Sequence, residues 1–330
     1  MSGLVSVIAG LASLQAFHYQ YFDGVLASDI ELCLSPAKSA TVRWRFVRSS
    51  KSVSNADVLA SPKAAKTSGI TEKDCPDPSG ESPYYSFRSE DNHEFLISHD
   101  GSLVINAPGT DPELPAIHQI LLNQVLPTAV SLQGRRVFHA AAIELEEATA
   151  IFLGPSGRGK STLATALARS GARLIGDDCL ILEQVVDHWK VIPSYPSLRL
   201  WPDSARAVML DAAESSKESH HGKLIFEPAD TMSVTSHDRD FRLRKIYLLN
   251  TPAGSINMDQ PLIEPLDLST GFRALLDAQY RLNTNDHEHL ADEFSDLARL
   301  AAEAPMAMLS YPRDYSKLDL VCKAVFQDLR

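Results

Sequence analysis

Positive charge is in short supply in this chain. Its 31 Lys and Arg face 42 Asp and Glu across 330 residues, for a formal net charge of −11. Such a balance argues against nonspecific partners that are themselves polyanionic, so no nucleic acid and no anionic membrane is expected, while a local basic pocket stays allowed. Cysteine is scarce as well. Cys33, Cys75, Cys179 and Cys322 are scattered without metal-ligand spacing. They read as reduced thiols of a cytoplasmic protein, not as a disulfide framework. No apolar run reaches the length needed to span a bilayer. The fairly apolar stretch from Leu4 to Phe17 lacks the basic flank of a secretory signal, because no Lys or Arg precedes Lys38. It is expected to be a buried N-terminal segment. Internal repeats, a guanine-reading N-K-x-D motif and an ABC-type signature are all missing, so GTPase and transporter-ATPase readings lose ground.

What is there begins with size. At 44% hydrophobic residues the chain can fill a large core or two domains. The first part reads as β-rich: strands are expected at Phe17 to Phe22, Ile30 to Leu34 and Ala40 to Val47. A Ser-, Lys- and Pro-rich loop should fill 48–82. Strands resume at Tyr84 to Arg88, Glu94 to Ser98 and Leu103 to Asn106, the last two joined by a hairpin at Asp100-Gly101. This places a β-rich N-terminal domain at 1–110 and a second domain at 111–330. In the second, residues 116–132 carry a helical apolar stripe that Pro127 should interrupt. Val137 to Leu145 reads as one strand carrying His139. Further on, Cys179 to Val186 and Trp189 to Ile192 form a hairpin, Leu243 to Asn250 and Met306 to Tyr311 are strands, and 268–282, 287–303 and 318–329 are helices.

The chemistry concentrates in 149–182. An apolar run, Ala150 to Leu153, leads into Gly154-Pro155-Ser156-Gly157-Arg158-Gly159-Lys160-Ser161-Thr162, which fits the G-x-x-x-x-G-K-[ST] phosphate loop. Glycines let backbone N–H groups turn inward around phosphate oxygens, and a helix starting there points its positive end at the same anion. The expected helix is visible in Leu163, Ala164, Leu167 and Ala168, with Gly171 placed as its C-terminal cap. Lys160 can reach the outer phosphates and Ser161 can ligate Mg²⁺. A second buried strand, Leu174-Ile175-Gly176, ends in Asp177-Asp178. Two adjacent carboxylates there suit metal ligation and proton acceptance beside a bound nucleotide, or else form a solvated acidic turn.

Phe138-His139-Ala140, the run GPSGRGKST and Gly176-Asp177-Asp178 together resemble the catalytic core of HPr kinase/phosphorylase, of the phosphoenolpyruvate carboxykinase superfamily. The resemblance spans about 135–185. It implies an HPr-kinase-like P-loop core using ATP and Mg²⁺; with the β-rich N-terminal domain read above, in which the family's usual N-terminal domain is not recognisable, the expected fold is α/β. The resemblance further implies Lys160 and Ser161 on phosphates and metal, Asp177 as the base on the acceptor hydroxyl, Asp178 on the metal side, and His139 as an active-site neighbour. The E-I-R-G-L-G segment of HPr kinases is absent downstream. The layout is closer to stand-alone HPr-kinase-like proteins, including kinases of lasso-peptide biosynthesis.

Outside that core the residues leave alternatives. Arg199, between apolar neighbours, either contacts phosphate or an acidic peptide or snorkels to the surface. Lys223 either closes over the phosphates from a loop or is a surface lysine. His220-His221 invite a metal reading, but a solvated loop fits better. The expected function is ATP- and Mg²⁺-dependent phosphoryl transfer to a Ser or Thr hydroxyl of a peptide or protein, with a lasso-peptide precursor as one acceptor. The competing readings are an HPr-type protein serine kinase, a small-molecule kinase and a nucleotide-binding regulator. Whether the chain forms a homo-oligomer stays open.

Overall fold

In the computed structural model the described residues are 16–39, 41–48, 70–72, 84–89, 93–106, 114–195, 198–208, 217–218, 222–226, 239–250, 259–281 and 287–330. Most of the expected N-terminal apolar segment, most of the loop at 48–82, Cys75 and His220-His221 lie outside them. The chain is mixed α/β and divides into two compact units, 1–134 with 281–283, and 135–280 with 284–330.

The first unit carries one sheet. Its strands are β1 (Phe17–Tyr21), β2 (Gly24–Ser28), β3 (Val42–Arg48), β4 (Ile70–Glu72), β5 (Tyr84–Arg88), β6 (Glu94–Ser98) and β7 (Leu103–Asn106), in the order β1-β2-β3-β7-β6-β5-β4. Alternating burial drives it: Trp44, Phe46, Phe95, Ile97 and Ile105 are fully buried. The strand expected at Ile30 to Leu34 is not formed. That segment is irregular, with Leu32 N–H donating to the Tyr19 hydroxyl, while the strand lies earlier, at β2. Helix α1 (Leu114–Ile120), a π-helical turn (Leu121–Val125) and α2 (Leu126–Leu132) belong to this unit. Pro127 does not interrupt them. The wider turn just before it, with Leu126 N–H donating to Leu121 O, absorbs the bond a proline cannot make.

The second unit is built on a nine-stranded sheet. Its strands are β8 (Val137–Phe138), β9 (Ala141–Leu145), β10 (Ala148–Leu153), β11 (Arg173–Gly176), β12 (Leu180–Val185), β13 (His188–Pro193), β17 (Phe241–Asn250), β18 (Leu262–Pro265) and β19 (Met306–Ser310). A small sheet of β14 (Leu198–Leu200), β15 (Lys217–Glu218) and β16 (Leu224–Phe226) stands beside it. The central strands β10, β17 and β19 run parallel. β10 is apolar from Ala150 to Leu153, because both its faces are covered there. Ala150 and Phe152 pack with Leu163 and Leu167 of α3 (Lys160–Arg169) and with Val321 and Val325 of α7 (Leu318–Leu329). Ile151 and Leu153 face Leu275 of α5 (Leu268–Ala278) and Leu297 and Leu300 of α6 (His287–Glu303). A further helix, α4 (Pro202–Val208), follows β14.

The single strand expected across Val137 to Leu145 is broken at His139-Ala140. β8 pairs with β12, whereas β9 pairs with β10 and β11. Asp177, Asp178 and Cys179 make the matching link from β11 to β12. The two outer ends of the sheet path are thus joined twice by very short connections, and the sheet must curl to bring them together.

Candidate functional site

The functional residues of the sequence reading all fall in the second unit, around the carboxyl end of β10 and those two connections. The glycine-rich loop leaves β10 where parallel α/β sheets present ligands. Gly159 holds φ +92 at the start of α3, and a Cβ there would stand 3.0 Å from the Tyr311 hydroxyl, so the turn and its packing both ask for glycine. Lys160 is only 6% exposed. Its Nζ donates to Gly154 O at 2.7 Å, so the ammonium curls back over its own loop. Burial lowers its pKa to about 8, a fall the two carboxylates oppose.

Asp177 and Asp178 do not sit at opposite faces of a strand end. They lie in the bend after β11, and Asp178 takes φ +74, a left-handed conformation that turns the two side chains to different partners. Asp177 Oδ1 accepts from Ser161 Oγ at 2.9 Å. Its other oxygen, Oδ2, is buried with no hydrogen-bond partner. Burial, followed by the neighbouring Asp178 charge, raises the Asp177 pKa to about 7. Asp178 Oδ2 accepts from Arg199 Nε at 2.8 Å and from the same guanidinium's Nη2. Burial works against ionisation there too, yet the Arg199 charge prevails and holds Asp178 below the ordinary carboxylate value. The pair is therefore split, one carboxylate anionic and one poised near neutrality.

His139 Nδ1 lies 3.1 Å from Asp178 O, across the two connections. A carbonyl only accepts, so Nδ1 carries the proton and Nε2 the lone pair. Burial, then the Lys160 charge, lowers its pKa to about 4, and the ring is neutral at physiological pH. Arg199 is not snorkelling: its guanidinium is buried against Asp178. Lys223 Nζ lies 5.7 Å from the Trp201 ring centroid.

His139, Lys160, Asp178, Arg199 and Lys223 line one cavity of about 530 Å³ together with loop residues 156–163. Asp177 stands behind it, 1% exposed beneath Ser161. Gly154 and Pro155 meet the site through their carbonyls, which face the Lys160 ammonium. The sequence reading missed Tyr280, whose hydroxyl is 3.4 Å from His139 Nδ1 and takes a bond from the buried Cys179 thiol. It also missed the wall formed by Trp201, Asp203, Tyr311, Arg313 and Tyr315. The run Tyr311-Pro312-Arg313-Asp314-Tyr315 directly after a parallel strand was the available signal.

Among the described residues no group of three or more His, Cys, Asp and Glu is placed to hold a metal alone, and no helix is long and apolar enough to cross a membrane.

No family model matches the chain, and no curated protein matches it. Among solved structures it is similar to the Hpr(Ser) kinase/phosphatase from Coxiella burnetii, at 15% identity and a TM-score of 0.31, over 58% of this chain and 95% of that one.

Proposed function

We propose that this protein is a phosphotransferase that binds ATP in the glycine-rich loop and passes its γ-phosphate to a hydroxyl. The observation that carries the proposal is a buried lysine at the first turn of a helix, on a glycine-rich loop, lining one cavity with Asp178 of a split carboxylate pair whose other member, Asp177, stands just behind it. In this reading the N–H groups of 156–162 and the start of α3 cradle the phosphates. The Lys160 ammonium exchanges the Gly154 and Pro155 carbonyls for phosphate oxygens.

Mg²⁺ fits the oxygens present. Asp177 Oδ2 is buried and unpartnered beside the Ser161 hydroxyl. Asp178 and the Ser161 hydroxyl make a hard, partial donor set, of the kind Mg²⁺ completes with water and phosphate, which leaves Asp177 Oδ2 for the acceptor's proton. Bound there, the ion would neutralise charge on the transferring phosphoryl group.

The remaining steps belong to the chain. Asp177, with a pKa of about 7, accepts the proton of the acceptor hydroxyl. Arg199 keeps Asp178 anionic and fixed. Neutral His139 offers Nε2 as an acceptor at the cavity wall. The acceptor carried forward from the sequence reading is a Ser or Thr hydroxyl of a peptide or protein, a lasso-peptide precursor included.

A second reading exchanges the carboxylates, with Asp177 on the metal side and Asp178 on the acceptor. It is favoured by the Ser161–Asp177 hydrogen bond and by Asp178, not Asp177, lining the cavity.

The test of the common claim is Lys160→Ala. Losing a contact that tightens in the transition state should slow transfer about a thousandfold. Turnover near wild type at saturating ATP would remove Lys160, and with it the phosphate-loop assignment.

A further inference from the structure

Near the carboxylates stand Arg199 and Lys223, whose charges act on both Asp177 and Asp178. Another rim of the cavity comes from the segment between β19 and α7. Tyr311 Oη donates to Arg158 O at 3.4 Å, and Arg313 Nη2 donates to Gly157 O at 2.9 Å, which ties this segment to the glycine-rich loop. Tyr315 completes the rim. Its hydroxyl donates to Asp203 Oδ2 at 2.8 Å and meets Ser204 Oγ at 3.0 Å. The residue nonetheless stays 44% exposed. An aromatic ring pinned at its polar tip and open to a cavity is a rigid face for stacking.

We propose that Tyr315, with the Arg313 guanidinium on the same rim, is the platform on which the nucleobase stacks, and that it takes purines without distinguishing adenine from guanine. This rests on the nucleotide reading above. In this placement, with the γ-phosphate at Lys160 and the carboxylates, the ribose and base extend past loop residues 157–162 to that rim. Edge reading of a base needs unspent donors and acceptors. The Tyr315 hydroxyl is held by Asp203 and Ser204, Arg313 Nη2 donates to Gly157, and Asp314 Oδ1 is held by the Ser316 amide and hydroxyl. What remains is a π face and the other N–H donors of the guanidinium, and such a donor meets N7 of either purine alike. These bind any base, and the larger purine surface best.

Calorimetric titration of the full chain with ATP, GTP, CTP and inorganic tripolyphosphate tests this. ATP and GTP should agree within about threefold, with CTP weaker. Tyr315→Ala should weaken ATP about tenfold and leave tripolyphosphate as it was. Tyr315→Phe should recover most of the loss, because the ring returns without its hydroxyl. Tyr315→Leu, which keeps bulk but not aromaticity, should behave like Tyr315→Ala and covers the case in which that variant is poorly folded. Three results would overturn the proposal: ATP preferred over GTP by more than about thirtyfold, ATP binding indifferent to Tyr315→Ala and Tyr315→Leu, or tripolyphosphate weakened as much as ATP. A wild type that binds neither ATP nor tripolyphosphate would instead remove the nucleotide reading beneath it.

Discussion

Asp177 should cost the fold stability, and replacing it with Asn should return that stability. The carboxyl is 1% exposed, and burial together with Asp178 lifts its pKa from 3.8 to about 7. Below pH 4 it is protonated in both folded and unfolded chains and contributes no pH dependence. Between pH 4 and 7 the unfolded chain has released the proton while the folded chain still holds it. Stability then falls by about 1.4 kcal/mol per pH unit. Across that span of about 3 units the loss is on the order of 4 kcal/mol, and it is constant above pH 7. Asn cannot titrate, and its amide oxygen can still accept from Ser161. The stability difference, Asp177→Asn minus wild type, should therefore rise from its pH 4 baseline by roughly 4 kcal/mol at pH 8. Urea unfolding at several pH values, without nucleotide and in the presence of a chelator, measures it. Trp189 reports from the same unit. A difference that stays flat from pH 4 to pH 8 would mean that Asp177 ionises at an ordinary value, and its fitness as a base would go with it. A carboxylate kept at such a cost is what a functional group, not a structural one, looks like.

Two further predictions concern the same groups. With Asp177 as base at about 7 and Lys160 as cation at about 8, kcat/KM should fall both below pH 7 and above pH 8. A profile flat from pH 6 to pH 9 would exclude both roles. The two carboxylate readings separate on Mg²⁺ dependence. Asp178→Asn should raise the Mg²⁺ requirement, and Asp177→Asn should lose single-turnover transfer at unchanged requirement. The opposite pattern would hand the roles to the second reading.

Much of this site was legible because its chemistry is local in sequence. Loop, helix start and acidic pair lie within Gly154 to Asp178, and the apolar run Ala150 to Leu153 announced the strand before the loop. Most elements from β10 to α7 were readable for the same reason, through period and turn residues, but the short strands β14, β15 and β18 were not. What escaped was set by long-range closure. The break at His139 exists because β8 and β9 pair with different partners, and the mostly apolar run Val137 to Leu145 carries no trace of that. Pro127 misled because the π turn ahead of it is invisible in the apolar stripe. The partner of Arg199 was undecidable until the bend at Asp178, with its left-handed backbone, aimed a carboxylate at it. The Tyr311–Tyr315 wall reaches the loop from 150 positions away, as the 153-residue separation of Tyr311 and Arg158 shows.

The most direct measurement is transfer itself. Wild type and Lys160→Ala, each with Mg·ATP, are assayed for ADP and for phosphorylated product with and without a pool of Ser- and Thr-containing peptides. The account predicts ADP formation that rises when peptide is added, phosphate recovered on a peptide hydroxyl, and both lost in Lys160→Ala. ADP formation indifferent to peptide, or equal in the two proteins, would contradict it.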